Sequence, residues 1–69
     1  MSQSNGAYAI FIDRIRQTTG NRATMLKEAR ALGRPKNSGS VTVWQLDTEG
    51  LRIGKPIWKS INGKIKIKP

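Results

Sequence analysis

A chain of 69 residues with neither cysteine nor histidine has to close its core by side-chain packing alone. Disulfides and the usual zinc sites, the devices that small domains use to compensate for a thin core, are excluded. A chain of this length buries only about 60% of the surface that its unfolded form exposes. Each apolar residue must therefore sit on a well-defined face. One domain is expected, over residues 7–69, after a polar lead-in at residues 1–6 (MSQSNG) that reads as disordered. The lead-in carries no basic run of the kind that opens a signal peptide, and no apolar run approaches the roughly 18 residues of a membrane span. Together with the missing thiols, this predicts a cytoplasmic protein with no membrane association.

The alternation of apolar and polar residues sets the elements. Residues 7–12 (AYAIFI) are β-branched and aromatic and predict a strand. Tyr8, Phe11, Ile12 and Ile15 also fit one face of a helix, which leaves a winged-helix-like variant as an alternative. Residues 17–21 (QTTGN) read as a connection. Asn21 can cap a helix whose apolar face is Met25, Leu26, Ala29 and Leu32, with Gly33 as its stop and Pro35 beyond. Residues 33–40 (GRPKNSGS) read as a flexible basic loop. From Val41 the period drops to two: a strand at 41–46, a turn at 47–50, a returning strand at 51–53, a break at Gly54-Lys55-Pro56, and a hairpin at 57–68 around Asn62-Gly63. The expected class is α+β, in the order β-α-β-β-β, with one helix packed on a small antiparallel sheet. Trp44 shares parity with Leu46, Leu51 and Ile53 and reads as core. The edge left by Pro56 offers strand pairing with a second copy, a route to a homodimer.

The last hairpin can close in two ways. A two-residue Asn62-Gly63 turn pairs Ile61 with Lys64 and sets Lys59 opposite Lys66. A three-residue loop, Ile61-Asn62-Gly63, pairs Ser60 with Lys64 and Ile57 with Ile67. The second sorts apolar from charged residues better and is preferred, because register follows the hydrophobic pattern. It predicts one face with Ile53, Ile57, Ile65 and Ile67, and an opposite face where Trp58 stands among Lys64, Lys66 and Lys68.

Thirteen Lys and Arg against four Asp and Glu give a net charge of +9. Self-repulsion at that level weakens a compact chain, and a polyanionic partner is the simple reason to keep it. The candidate contacts are Lys64, Lys66 and Lys68, with Trp58 as a stacking surface, and then Arg34 and Lys36 in the loop and Arg14 and Arg16 after the first strand. Taken alone, Trp58 reads better as core volume. Arg14 and Arg16, two apart, would project together from a strand. The expected partner is nucleic acid, DNA or RNA, held by largely sequence-independent phosphate contacts, since no recognition helix is evident. Catalysis is not expected: the commonest general bases and thiol nucleophiles are missing, and Asp13, Glu28, Asp47 and Glu49 form no acid–base pair. No cofactor or metal is expected either.

A polar start, a strand at 7–12, a helix at 23–32, Gly39-Ser40-Val41-Thr42-Val43 and a meander ending at Lys68 together resemble, in layout, some small anti-CRISPR proteins of phages. That resemblance implies a protein acting in the bacterial or phage-infected host cytoplasm, docking its basic face on an acidic surface of a host nucleoprotein complex. Many such proteins are acidic DNA mimics, and a chain of +9 cannot act by that mimicry.

Overall fold

A computed structural model describes residues 7–69; the lead-in expected at residues 1–6 lies outside the described residues. The elements are β1 (Tyr8–Ile12), β2 (Ile15–Gly20), α1 (Arg22–Leu32), β3 (Ser40–Gln45), β4 (Trp58–Ile61) and β5 (Lys64–Ile67). All pairings are antiparallel, and the five strands lie in the order β2-β1-β3-β4-β5. The fold is thus α+β, one helix on one antiparallel sheet, as the periodicity predicts. The first segment is a strand, and its helical, winged-helix-like alternative is overturned.

One element was hidden. The chain does not run from β1 through a connection into the helix; it turns at Asp13-Arg14 and returns as β2. Both turn residues have positive φ, 51° and 73°, the two-residue mirror-type turn whose twist matches antiparallel strands. That turn normally announces itself with glycine in second place, and here arginine occupies it. The turn also separates Arg14 from Arg16, so the two do not project from one strand. A bulge in β2 between the partners of Ile10 and Phe11 then leaves Arg16 opposite Phe11.

The helix begins where Asn21 accepts a hydrogen bond from the Thr24 N–H at 2.8 Å. It buries Met25, Leu26 and Ala29 against Ile10, Val41, Val43 and Trp58, with Tyr8, Ile12 and Ile57 at the margin. Leu32, expected on that face, is instead 42% exposed. Gly33 ends the helix at an ordinary φ of −88°. Its need is for space: a Cβ there would stand 2.9 Å from Trp58 Cη2 and 3.0 Å from Ser60 Oγ. The buried Ser60 hydroxyl donates to the Gly33 carbonyl at 3.1 Å and closes the helix end onto β4.

The hairpin register departs from the preferred one. Asn62-Gly63, at φ 49° and 85°, closes a two-residue turn, so Ile61 pairs with Lys64 and Ser60 with Ile65. A bulge follows and sets Lys59 opposite Ile67, so the two lysines never face each other. That register takes the lysines off the face of Trp58, which pairs with Val43 and is 2% exposed in the core under the helix. The apolar set predicted for the other face is dispersed: Ile65 and Ile67 are exposed because β5 lies at the sheet edge beyond the helix, and Ile53 is exposed in the segment between β3 and β4.

Leu51 is exposed too, and the strand predicted at 51–53 reduces to an isolated bridge between Leu46 and Arg52. Residues 47–57 form an excursion from the sheet, and Pro56 sits within it. The free sheet edges belong to β2 and β5, so Pro56 does not create one. Among the described residues, no helix is long and apolar enough to cross a membrane.

Candidate nucleic-acid interface

Two regions of the surface concentrate basic side chains, and strand pairing explains both. The first is the end of the sheet at Gly39-Ser40. The Asp13 N–H donates to the Ser40 carbonyl at 2.9 Å, and the Ser40 N–H returns a bond to Asp13 Oδ1 at 3.2 Å. The Asn62 N–H donates to the Gly39 carbonyl at 2.9 Å, while the Gly39 N–H donates to Asn62 Oδ1 at 3.1 Å. Both hairpin turns are therefore tied to the same two residues.

The loop after the helix closes on this hub as well. A Cβ on Gly63 would meet the Arg34 carbonyl at 2.8 Å and the Pro35 carbonyl at 3.3 Å. Arg14, Arg34, Lys36 and Lys64, four residues scattered over fifty positions of sequence, are thus carried on segments in mutual contact. All four are exposed. Lys66 and Lys68 follow along the edge strand and its tail, also exposed. Arg16 lies elsewhere, on the sheet face turned away from the helix.

The acidic residues do little to offset this. The Asp13 carboxylate is engaged by the Ser40 N–H, and Asp47 Oδ1 accepts from the Glu49 and Leu51 N–H groups at 2.8 and 2.9 Å. Two of the four carboxylates are committed to shaping turns. Their charge remains, and four carboxylates against thirteen Lys and Arg leave the net +9.

Beside the hub lies a cavity of about 270 Å³ lined by Arg30, Gly33, Arg34, Trp58, Gly63 and Ile65. Its floor is apolar and its rim carries two arginines. Among the described residues no group of three or more Asp or Glu gathers that could hold a metal.

The second region is the outer face of the sheet, opposite the helix. Following the partners across the strands, Arg16, Phe11, Thr42, Lys59 and Ile67 form one transverse row. Trp44 stands on the same face two residues along β3, and its indole N–H donates to Thr42 Oγ1 at 3.0 Å. Trp44 is half-buried, outside the cluster beneath the helix, so the expectation of a core tryptophan is corrected. The Arg52 guanidinium carbon lies 5.0 Å from the ring centres of both Phe11 and Trp44. Nothing in the sequence alone marks Phe11, Trp44, Arg52 and Lys59 as contacts. Both aromatics look like core residues there, and only the pairing reveals which face they take.

The chain matches no protein-family model, no curated protein and no solved structure.

Proposed function

We propose that this chain is a non-enzymatic nucleic-acid-binding module that holds phosphates at the sheet end through Arg14, Arg34, Lys36 and Lys64. Lys66 and Lys68 extend that surface along the edge strand. The observation that carries this reading is the Gly39-Ser40 hub, which brings three segments together with four basic residues among them, against the single carboxylate of Asp13. A rim of flexible cations suits a phosphate backbone, which attracts charge without demanding a fixed base geometry.

A salt series tests it. Binding to a labelled random duplex should weaken by about 0.9 log unit per log unit of salt for each phosphate neutralised. Arg14→Ala, Arg34→Ala and Lys64→Ala combined should lower that slope by about 2 to 3. Binding that ignores salt, or a triple variant that binds like wild type, would remove the sheet end from the interface.

A second reading is favoured by the cavity beside the hub. Its apolar floor and arginine rim fit an acidic side chain from a protein partner, and hot spots favour such enclosed arginine contacts. The partner would then be an acidic protein surface of a nucleoprotein complex, of the kind the layout resemblance implies. A stoichiometric complex with such an assembly, lost in Arg30→Ala and unaffected by competing duplex, would favour this reading over the first.

A further inference from the structure

The geometry points to a stacking site for an unpaired nucleobase on the outer sheet face, formed by Phe11, Trp44 and the Arg52 guanidinium. The inference rests on the nucleic-acid reading above and deepens it, from any polyanion to single-stranded nucleic acid. Three observations carry it. The first is position: Phe11 and Trp44, on the adjacent strands β1 and β3, lie on the face away from the helix and are half-buried, with only Arg52 of the 47–57 segment shown over their rings. An aromatic ring needed only for core volume would be expected beneath the helix, where Trp58 lies.

The second observation is the placement of Arg52. It is exposed, and its guanidinium carbon lies 5.0 Å from two ring centres, which places a planar cation over the aromatic pair and leaves its outer side to a ligand. A guanidinium plane and an aromatic face are the two surfaces on which proteins stack splayed-out bases. Stacking on either is open to every base, since each presents a π-face. The Trp44 N–H, tied to Thr42 Oγ1, keeps the indole in one orientation.

The third is charge. Arg16 and Lys59 flank Phe11 in the same transverse row, on β2 and β4. Three strand spacings separate them, about 14 Å at 4.8 Å each. A single strand crossing the sheet would have cations for its phosphates on both sides of the aromatic pair. Duplex bases are already stacked on one another and cannot use this site, so it discriminates where the sheet-end lysines and arginines do not.

The test compares affinities for oligo(dT) and for a duplex of equal length, using the full chain. Wild type should prefer the single strand, with quenching of Trp44 fluorescence; Trp58, at 2% exposure, is out of a base's reach. Arg52→Lys keeps the charge but loses the planar surface, and Phe11→Leu keeps apolar volume but loses the π-face. Each should cost about tenfold in single-strand affinity and less than about twofold on duplex. Thermal melting of both variants confirms that the fold survives. Equal binding of single strand and duplex, changed in the same proportion by both variants, would overturn the stacking site while leaving phosphate binding intact. Absence of binding to either nucleic acid at low salt would overturn the parent reading with it.

Discussion

Gly63 meets two demands at once. Its φ of +85° lies in the left-handed region, and its missing side chain lets the Arg34 and Pro35 carbonyls close on the turn. Gly54 shares the first demand, at φ +59°, but has open space around it. The pair therefore separates backbone strain from packing. Gly54→Ala should destabilise by about 1 to 2 kcal/mol, the cost of left-handed backbone for an L-residue. Gly63→Ala should cost about 1 to 3 kcal/mol more, because a methyl 2.8 Å from a carbonyl oxygen forces the loop off the hairpin. Urea melts of the two variants measure the difference. Equal costs would mean that the loop yields freely, and the sheet-end cluster would lose its fixed geometry. Gly33 makes the converse point. Its φ is ordinary, yet an alanine there would press on Trp58 and on the Ser60 hydroxyl, so the glycine serves the contact of helix end with β4.

At the scale of the element, the turn between β1 and β2 is the informative one. Arg14 sits at φ 73° where glycine is the favoured residue, so Arg14→Gly should raise stability by about 0.5 to 1 kcal/mol. The same substitution removes a cation from the sheet end and should lower the salt slope of binding by about 0.9. A gain in melting temperature with a loss of affinity is therefore the expected pair of results, and a loss of both would argue against the strained turn. That strain also explains why β2 could not be read from the sequence. Without an Asp-Gly or Asn-Gly pair, and with the polar run Arg16–Thr19, nothing marks a return strand. The helix was legible because its signals are local: Asn21 caps it, and Met25, Leu26 and Ala29 repeat at helical spacing. The hairpin at Asn62-Gly63 was legible as a turn but not in register. Sorting of apolar residues is a sound guide only where both strands are covered, and β5 lies outside the shelter of the helix. The basic side chains of the site were legible as residue types. Their meeting at Gly39-Ser40 was not, since it depends on contacts between turns that lie far apart in sequence.

For the whole molecule, a charge of +9 on a thin core sets stability and binding at odds. With four carboxylates against thirteen Lys and Arg, the cations have few partners of opposite sign, and their repulsion acts over the Debye length, about 10 Å at 0.1 M salt. Added salt should therefore raise the melting temperature of the free protein, by screening repulsion that the unfolded chain relieves through expansion. Affinity for a polyanion should move the other way, because each phosphate contact releases counterions less favourably as salt rises. A saturating single strand at 100 times its Kd adds about 2.7 kcal/mol, and for a domain of this size that is on the order of 10 °C. Melting curves with and without oligo(dT) should accordingly stand far apart in low salt and converge as salt is added, the free protein rising and the complex falling toward it. Melting temperatures of the free protein and of the complex that are both indifferent to salt would mean that the basic side chains are too far apart to act together, and the sheet-end cluster would then be too diffuse to hold phosphates as a group. Convergence from above with no rise from below would locate the salt effect in binding alone, and the charge would be an attribute of the interface without consequence for the fold.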